Sequence, residues 1–473
     1  MSNSNRTLLA YTREPSFRGF SAAVLTAAGV QGTVPLFDWR FSAAGIVHNK
    51  GTVESDEIND DRMSRESIAI SVDANGQNTH EFCCEDFDDV VNAVMQCNYQ
   101  LIVSATCTVS GQTITADSGT PFGPLIGAKF IKILLAATAG NNGVKQVVSI
   151  TDSVITLAAG SLSGSDSADA MTFYLNEYSV IDSVTVTVTG TGTIYTATVG
   201  TFSTTTQGAR YVKMAGGTLA AASQGIRKVV SCTSTVLTLA APTTGTDEVG
   251  KTATVTARYT RVGTTQVSHV IQRTFADLAV PEYTAFTGMC VDGVDINAAA
   301  RSKVGFLATF MGYKGQSRTA SVNTATPTAA STNSIVQTSD NIGSILVDGS
   351  AAANPVKSIN WSCKNNLRSR PVVGDAGTLE PGVGESVITG QMEAYFTDNT
   401  LLAKYINHTA AAIEYKITDA DGNVFNIYLP SVKFNGGDVP IPGINQDIMQ
   451  TLPFKAHKDA TLGYHCQIDR LAT

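Results

Sequence analysis

Residues 386–455 read SVITGQMEAYFTDNTLLAKYINHTAAAIEYKITDADGNVFNIYLPSVKFNGGDVPIPGINQDIMQTLPFK, and this stretch decides the fold. Val387 to Phe396 alternates as a sheet strand does, with one set of side chains turned to a core. Asp398-Asn399-Thr400 supplies cap residues for a short helix carrying Leu401, Leu402, Tyr405 and Ile406. Ile413, Tyr415 and Ile417 then recur at period two, Asp419-Ala420-Asp421-Gly422-Asn423 makes a turn, and Phe425, Ile427 and Leu429 resume the period. Thr451-Leu452-Pro453-Phe454-Lys455 closes the block. The order is strand, helix, hairpin, strand.

The same order appears more weakly upstream. Residues 1–36 read as an extended arm with Pro15 and Pro35, and Phe37 to Phe41 as a strand. Ser55-Asp56-Glu57-Ile58-Asn59-Asp60-Asp61-Arg62 reads as a charged loop and Ser67 to Val72 as a second strand. Glu85-Asp86 opens a helix whose apolar face is Phe87, Val90, Val91, Val94 and Met95, with acids at its positive end. Strands follow at Tyr283–Val294 and Lys303–Tyr313. The only two tryptophans, Trp39 and Trp361, fall in matching strands, and Gly76-Gln77 and Gly390-Gln391 each precede a short helix. Two copies of one module account for this order; two unrelated β domains with chance matches are the alternative.

Between the helix and the later strands lies a Thr-, Ser-, Ala- and Gly-rich stretch containing a repeat. Gly127-Ala128-Lys129-Phe130-Ile131-Lys132 matches Gly208-Ala209-Arg210-Tyr211-Val212-Lys213, and Val154-Ile155-Thr156-Leu157-Ala158-Ala159 matches Val236-Leu237-Thr238-Leu239-Ala240-Ala241. Two small tandem β modules are implied. The expected division is a discontinuous first module at 1–102 and 259–318, inserted repeats at 103–182 and 183–258, a linker at 319–338 and a second module at 339–473.

Composition narrows the function. The chain has 473 residues, 43% hydrophobic and only 15% charged, which favours a mainly β protein with more than one core. The net charge of −8 and the lack of a basic stripe argue against tight phosphate binding. Fourteen of the acids lie in residues 1–100, against seven Lys and Arg. Eight scattered cysteines form no CxxC pair and read as small buried hydrophobes of a reducing compartment. There is no convincing export signal and no apolar run of membrane-spanning length.

No catalytic constellation is present. His80 with Cys83 and Cys84 has a metal-like spacing, but a second pair is missing, and a loop-and-core role fits better. Asp419-Ala420-Asp421-Gly422 resembles the start of a calcium loop without its downstream glutamate, so a hairpin turn explains it. Glu85, Asp86, Asp88 and Asp89 read as solvated helix-start acids or as acids facing a lumen, rather than an acid–base pair. Asn5, Asn360 and Asn407 match the glycosylation pattern without an export signal to give it meaning. No catalytic, cofactor-binding or metal-binding residue is expected, no cofactor, and no enzymatic activity.

Several stretches resemble the tail tube (major tail) proteins of long-tailed, non-contractile bacteriophages. They are Ser55 to Arg62, Asn365-Asn366-Leu367-Arg368, Gly390 to Asn407, Leu429 to Lys455 with Asn445-Gln446-Asp447 and Met449, and the closing Gln467-Ile468-Asp469-Arg470. The inserted unit looks like the decoration module such proteins carry, although here it is doubled. The resemblance implies two β-sandwich or barrel modules, each with a flanking helix, plus two small inserted β domains. It implies a virion subunit that pairs with itself into stacked rings, assembled in the bacterial host cytoplasm. Tape measure protein and tail terminator or distal tail proteins would meet the tube ends. Viral DNA would cross an acidic lumen without specific binding, and no membrane anchor is needed. Two modules per chain predict three chains per ring, with six as the alternative. Ring-to-ring contacts are expected from 1–35, 42–66 and 364–386. A β-repeat adhesin or a capsid decoration protein is the rival reading.

Overall fold

A computed structural model describes residues 6–20, 34, 36–57, 63, 66–241, 247–323 and 326–472. It is mainly β, with four short α-helices among the described residues. Residues 58–62 of the charged loop lie outside what is described.

The strands of 386–455 form as their periodicity dictates: Val387–Tyr395, Ala411–Thr418, Val424–Phe434 and Met449–Ala456, with the helix Thr400–Ile406 after the first. Asp419 closes the hairpin turn, its Oδ1 accepting the N–H groups of Asp421 (3.0 Å) and Asn423 (2.8 Å). Gly422 supplies the positive φ of 86°.

The first module has the same connectivity. Ser67–Glu81 pairs Gly305–Gly312 as Val387–Tyr395 pairs Met449–Ala456. Gly305–Gly312 pairs Glu282–Ala299, which pairs Ser268–Phe275, as Met449–Ala456 pairs Val424–Phe434 and that strand pairs Ala411–Thr418. The registers coincide at one point: Gly76 stands opposite Phe310, and Gly390 opposite Phe454. Neither glycine has room for a side chain. A Cβ at Gly76, φ +147°, would meet Gly45 O at 2.3 Å, and one at Gly390 would meet Phe454 Cζ at 2.3 Å and Asn360 O at 2.4 Å. Gly390→Ala should therefore cost about 1–3 kcal/mol through overpacking against backbone, read by denaturant unfolding of unassembled protein. A neutral result would remove the packing reason for the shared glycine.

Three sequence expectations change here. The arm contains a true strand, Thr7–Arg13, paired along its whole length with Ser268–Phe275; Tyr11 is fully buried, so this part is no free arm for ring-to-ring contact. Its run TLLAYTR lacks clean alternation because its last five residues are all buried. Trp39 lies just past the two-residue strand Phe37–Asp38, not inside one. The expected linker 319–338 is packed on the first module: Val322 and Val336 are fully buried, and Thr328 exchanges backbone hydrogen bonds with Leu36 and Asp38.

The insert folds as two closed six-stranded barrels. The first runs from Gln100–Ser110 to Asp169–Leu175, the second from Tyr178–Thr189 to Glu248–Arg261. The expected boundary at 182/183 falls inside Tyr178–Thr189, because the repeat motif sits in mid-barrel strands and does not mark where each barrel opens. Each barrel has its own core, around Phe122 and Phe173 in the first and Tyr195 and Val255 in the second. The two flanking modules share one core, in which Trp39, Phe87 and Phe306 belong to the same cluster as Trp361, Leu401 and Phe454.

Candidate assembly interface

The shared core follows from one pairing. The second half of Glu282–Ala299 keeps Gly305–Gly312 of its own module on one side and pairs Val356–Lys364 of the other module on its other side, from Gly293 opposite Lys364 to Ala299 opposite Ser358. The result is an eight-stranded wall. Its order is Val47–Glu54, Ser67–Glu81, Gly305–Gly312, Glu282–Ala299, Val356–Lys364, Val387–Tyr395, Met449–Ala456 and Val424–Phe434. On the seam, Trp361 faces inward opposite Ile296, both buried. The modules thus meet within one chain, by β-augmentation of one sheet by the other.

The other face of the wall is open. Asn75, Gln77, Thr79, Asn360, Gln391 and Thr451 are exposed on it, alternating with buried neighbours. Its charges are mixed in sign: Lys357 pairs Glu393 at 3.0 Å, Lys303 pairs Glu81, Lys364 is diagonal to Asp295 on the neighbouring strand, and Lys433 stands opposite Lys455. This face is polar and close to neutral, not acidic.

Among the described residues the wall has two unpaired edges. One is Val47–Glu54, exposed along almost its whole length. The other lies past Phe434. The Asn435 N–H donates to Pro453 O at 2.8 Å, which puts Asn435 at the register of Gly293, opposite Thr309 in the first module. The next residues stand where the first copy's strand continues to its seam, but here the chain leaves the sheet.

A buried ionic hub fastens the barrels to this frame. The helix is Asp88–Val94, starting three residues later than expected. Asp89 pairs with the Arg13 guanidinium and lies 3.0 Å from His269 Nε2. Although burial opposes ionisation, these partners hold the Asp89 carboxyl down at about 2. Arg13 also donates to Asn176 Oδ1 at 3.0 Å. Arg470, from the last strand Gln467–Leu471, pairs Asp88 at 2.9 Å and Glu177, and Glu177 accepts from Arg258 Nε at 2.8 Å. Asn176 and Glu177 are the two residues between the barrels. A second tether joins Glu414 to Arg210 (2.9 Å) and Lys228 (2.7 Å). Three of the acids at the helix start are therefore ion-pair partners: Asp89 and Asp86 are buried, Asp86 lying 3.6 Å from Lys129, and Asp88 is half-buried, while Glu85 is exposed.

His80 and Cys83 are buried in the core of the frame. His80 packs between the tilted rings of Trp39 (4.8 Å) and Phe87 (5.0 Å), and its Nδ1 lies 2.6 Å from Arg40 O. Burial lowers its pKa to about 4. Burial pushes the Cys83 thiol up to about 12. Among the described residues no three or more His, Cys, Asp or Glu are placed to hold a metal ion, and no helix is long and apolar enough to cross a membrane. Sequence reasoning missed Arg13, His269, Glu177 and Arg470. Their partners lie far apart in the chain, and no local pattern in the sequence marks the pairing.

Residues 238–456 match the family model for phage tail tube protein. The match supports a structural tail tube subunit, a component of the virion tail. It runs from the last part of the second barrel across the seam and through most of the second module, ending before Gln467–Leu471, so it contains Trp361, Gly390 and Phe454. No curated protein matches the chain.

Proposed function

We propose that this chain builds the tube of a long, non-contractile phage tail, with three copies closing head to tail into a ring. The observation that carries this reading is the seam between Gly293–Ala299 and Ser358–Lys364. It joins two equivalent modules through equivalent edges and leaves the same two edges open at the ends of the wall. A heterologous contact repeated by rotation closes into a ring. Three chains supply six modules and a continuous 24-stranded wall on the order of the six-module barrel that one seam begins. The open polar face lines the lumen, and the barrels, fastened through the hub on the helix side, stand outside. DNA passes because this face offers amides and hydroxyls and little net positive charge, so few counterions are released on contact. Rings stack between a tape measure protein and terminator or distal tail proteins, after assembly in the host cytoplasm.

Electron microscopy of the purified protein tests the proposal. The expected image is a stack of rings with a central channel, threefold symmetric, with six similar wall units and three outer pairs of barrels. Six chains per ring would overturn the stoichiometry, and dispersed monomers at high concentration would overturn the tube itself.

A further inference from the structure

The duplication makes one seam inside the chain a template for the seam between chains. After Val356–Lys364 the second module sends residues 365–386 over the first. Asn365 Nδ2 donates to Val94 O (2.9 Å) and Val291 O (3.1 Å), and the Leu367 N–H donates to Asp292 Oδ1 (2.7 Å). The small hairpin of Pro371–Val372 and Asp375–Thr378 grips the same module, Asp375 accepting from Tyr313 Oη (2.8 Å) and Arg18 Nη1 (2.9 Å). In the first module the segment at this position is the longer hairpin of Val47–Glu54 and the start of Ser67–Glu81. It is exposed instead, with Val53 at 50%, Ile68 at 54% and Ile70 at 58%.

The seat it lacks is uncovered on the second module. Val94, the last residue of the first helix, is 0% exposed, whereas its counterpart Ile406 is 68% exposed. His457 holds the place of Tyr313: its N–H donates to Ser431 O (2.8 Å) as that of Tyr313 donates to Thr287 O (3.0 Å). Beyond Phe434 the departing loop shows Ile441 at 87% and Ile444 at 92% exposure, and its Gly437 lies beside Tyr405 of the same helix. Both partners are therefore apolar and unpaired, on opposite ends of one wall.

We propose that the hairpin is a ring-closing arm, and that it docks on the second module of the next copy of this chain, against Ile406, Ile441 and Ile444. The inference rests on the ring reading and deepens it. It assigns the hairpin to lateral contact within a ring, where 42–66 was expected to join ring to ring. Burial of clustered apolar side chains gives such an arm its affinity, and the paired edge beneath gives it register.

The test uses full-length protein in a Cys232→Ser background, since the other seven cysteines are buried. Ile70→Cys and Ile441→Cys preparations are mixed, assembled and treated with a short bismaleimide. The expected product is a dimer containing one of each, recovered from single rings. Separately, Ile441→Asp with Ile444→Asp should leave the unassembled protein's melting unchanged and raise the concentration needed for rings about tenfold or more. If wild-type rings form but no mixed dimer appears, or the dimer links adjacent rings, the docking proposal falls and the tube reading stands. Wild-type-like assembly of the double variant would also overturn the docking. If wild-type protein forms no rings, both fall together.

Discussion

Asp89→Asn should destabilise the unassembled protein by about 3–5 kcal/mol in denaturant unfolding. The cost comes from what remains. Arg13 and Asp89 have side chains only 3% exposed, so losing the carboxylate leaves a guanidinium buried without its counter-charge. His269 loses a charged partner at 3.0 Å in the same step. The pH dependence has a fixed sign. Asp89 titrates at about 2 in the folded chain, below the ordinary 3.8, so its contribution is present above about pH 4 and is lost as pH falls toward 2. The Asn variant should lack that acid-side slope. Asp88→Asn is the control: Asp88 is 22% exposed, and Arg470 keeps Glu177, so the loss should be about 1 kcal/mol or less. Equal effects from the two variants would show that the hub is not organised around the Arg13–Asp89 pair.

Trp361→Ala should cost about 3–5 kcal/mol. Trp361 is fully buried on the seam strand, paired with Gly390 on one side and Ile296 on the other. Its indole therefore fills the core where the two modules become one, and a methyl group there leaves a cavity that β-sheet backbones on both sides cannot collapse. Ser362→Ala, the next residue and on the open face, should stay within about 0.5 kcal/mol. Because one core spans both modules, the loss should appear as a single cooperative transition of the frame. Separate unfolding of the two modules would mean the seam is weaker than its burial implies.

Local pattern made much of this legible. The period-two runs at Ile413–Ile417 and Phe425–Leu429, the helix at Thr400–Ile406 and the turn at Asp419–Asn423 all depend on residues within a few positions of one another. The tandem β modules were legible because the same short strands repeat about eighty positions apart, as with Phe130–Leu134 and Tyr211–Ala215; that each closes into a barrel was not. The hub was not legible. Arg13, Asp89, Glu177 and Arg470 meet across most of the chain, and an isolated Asp at a helix start looks the same whether solvent or Arg13 faces it. The neutral open face was hidden for a related reason: net charge counts acids such as Asp86 and Asp89, which the fold buries away from that face.

The mainly β fold and the paired inserted β units were thus set by local sequence, because strand alternation and turn chemistry act over a few residues. Only the tertiary structure decided that the modules share one core through Gly293–Ala299 and Ser358–Lys364, which edges stay open, and where the buried charges pair. Sheet edges and ion pairs join residues distant in the chain, and no local periodicity encodes which of many equivalent edges will meet.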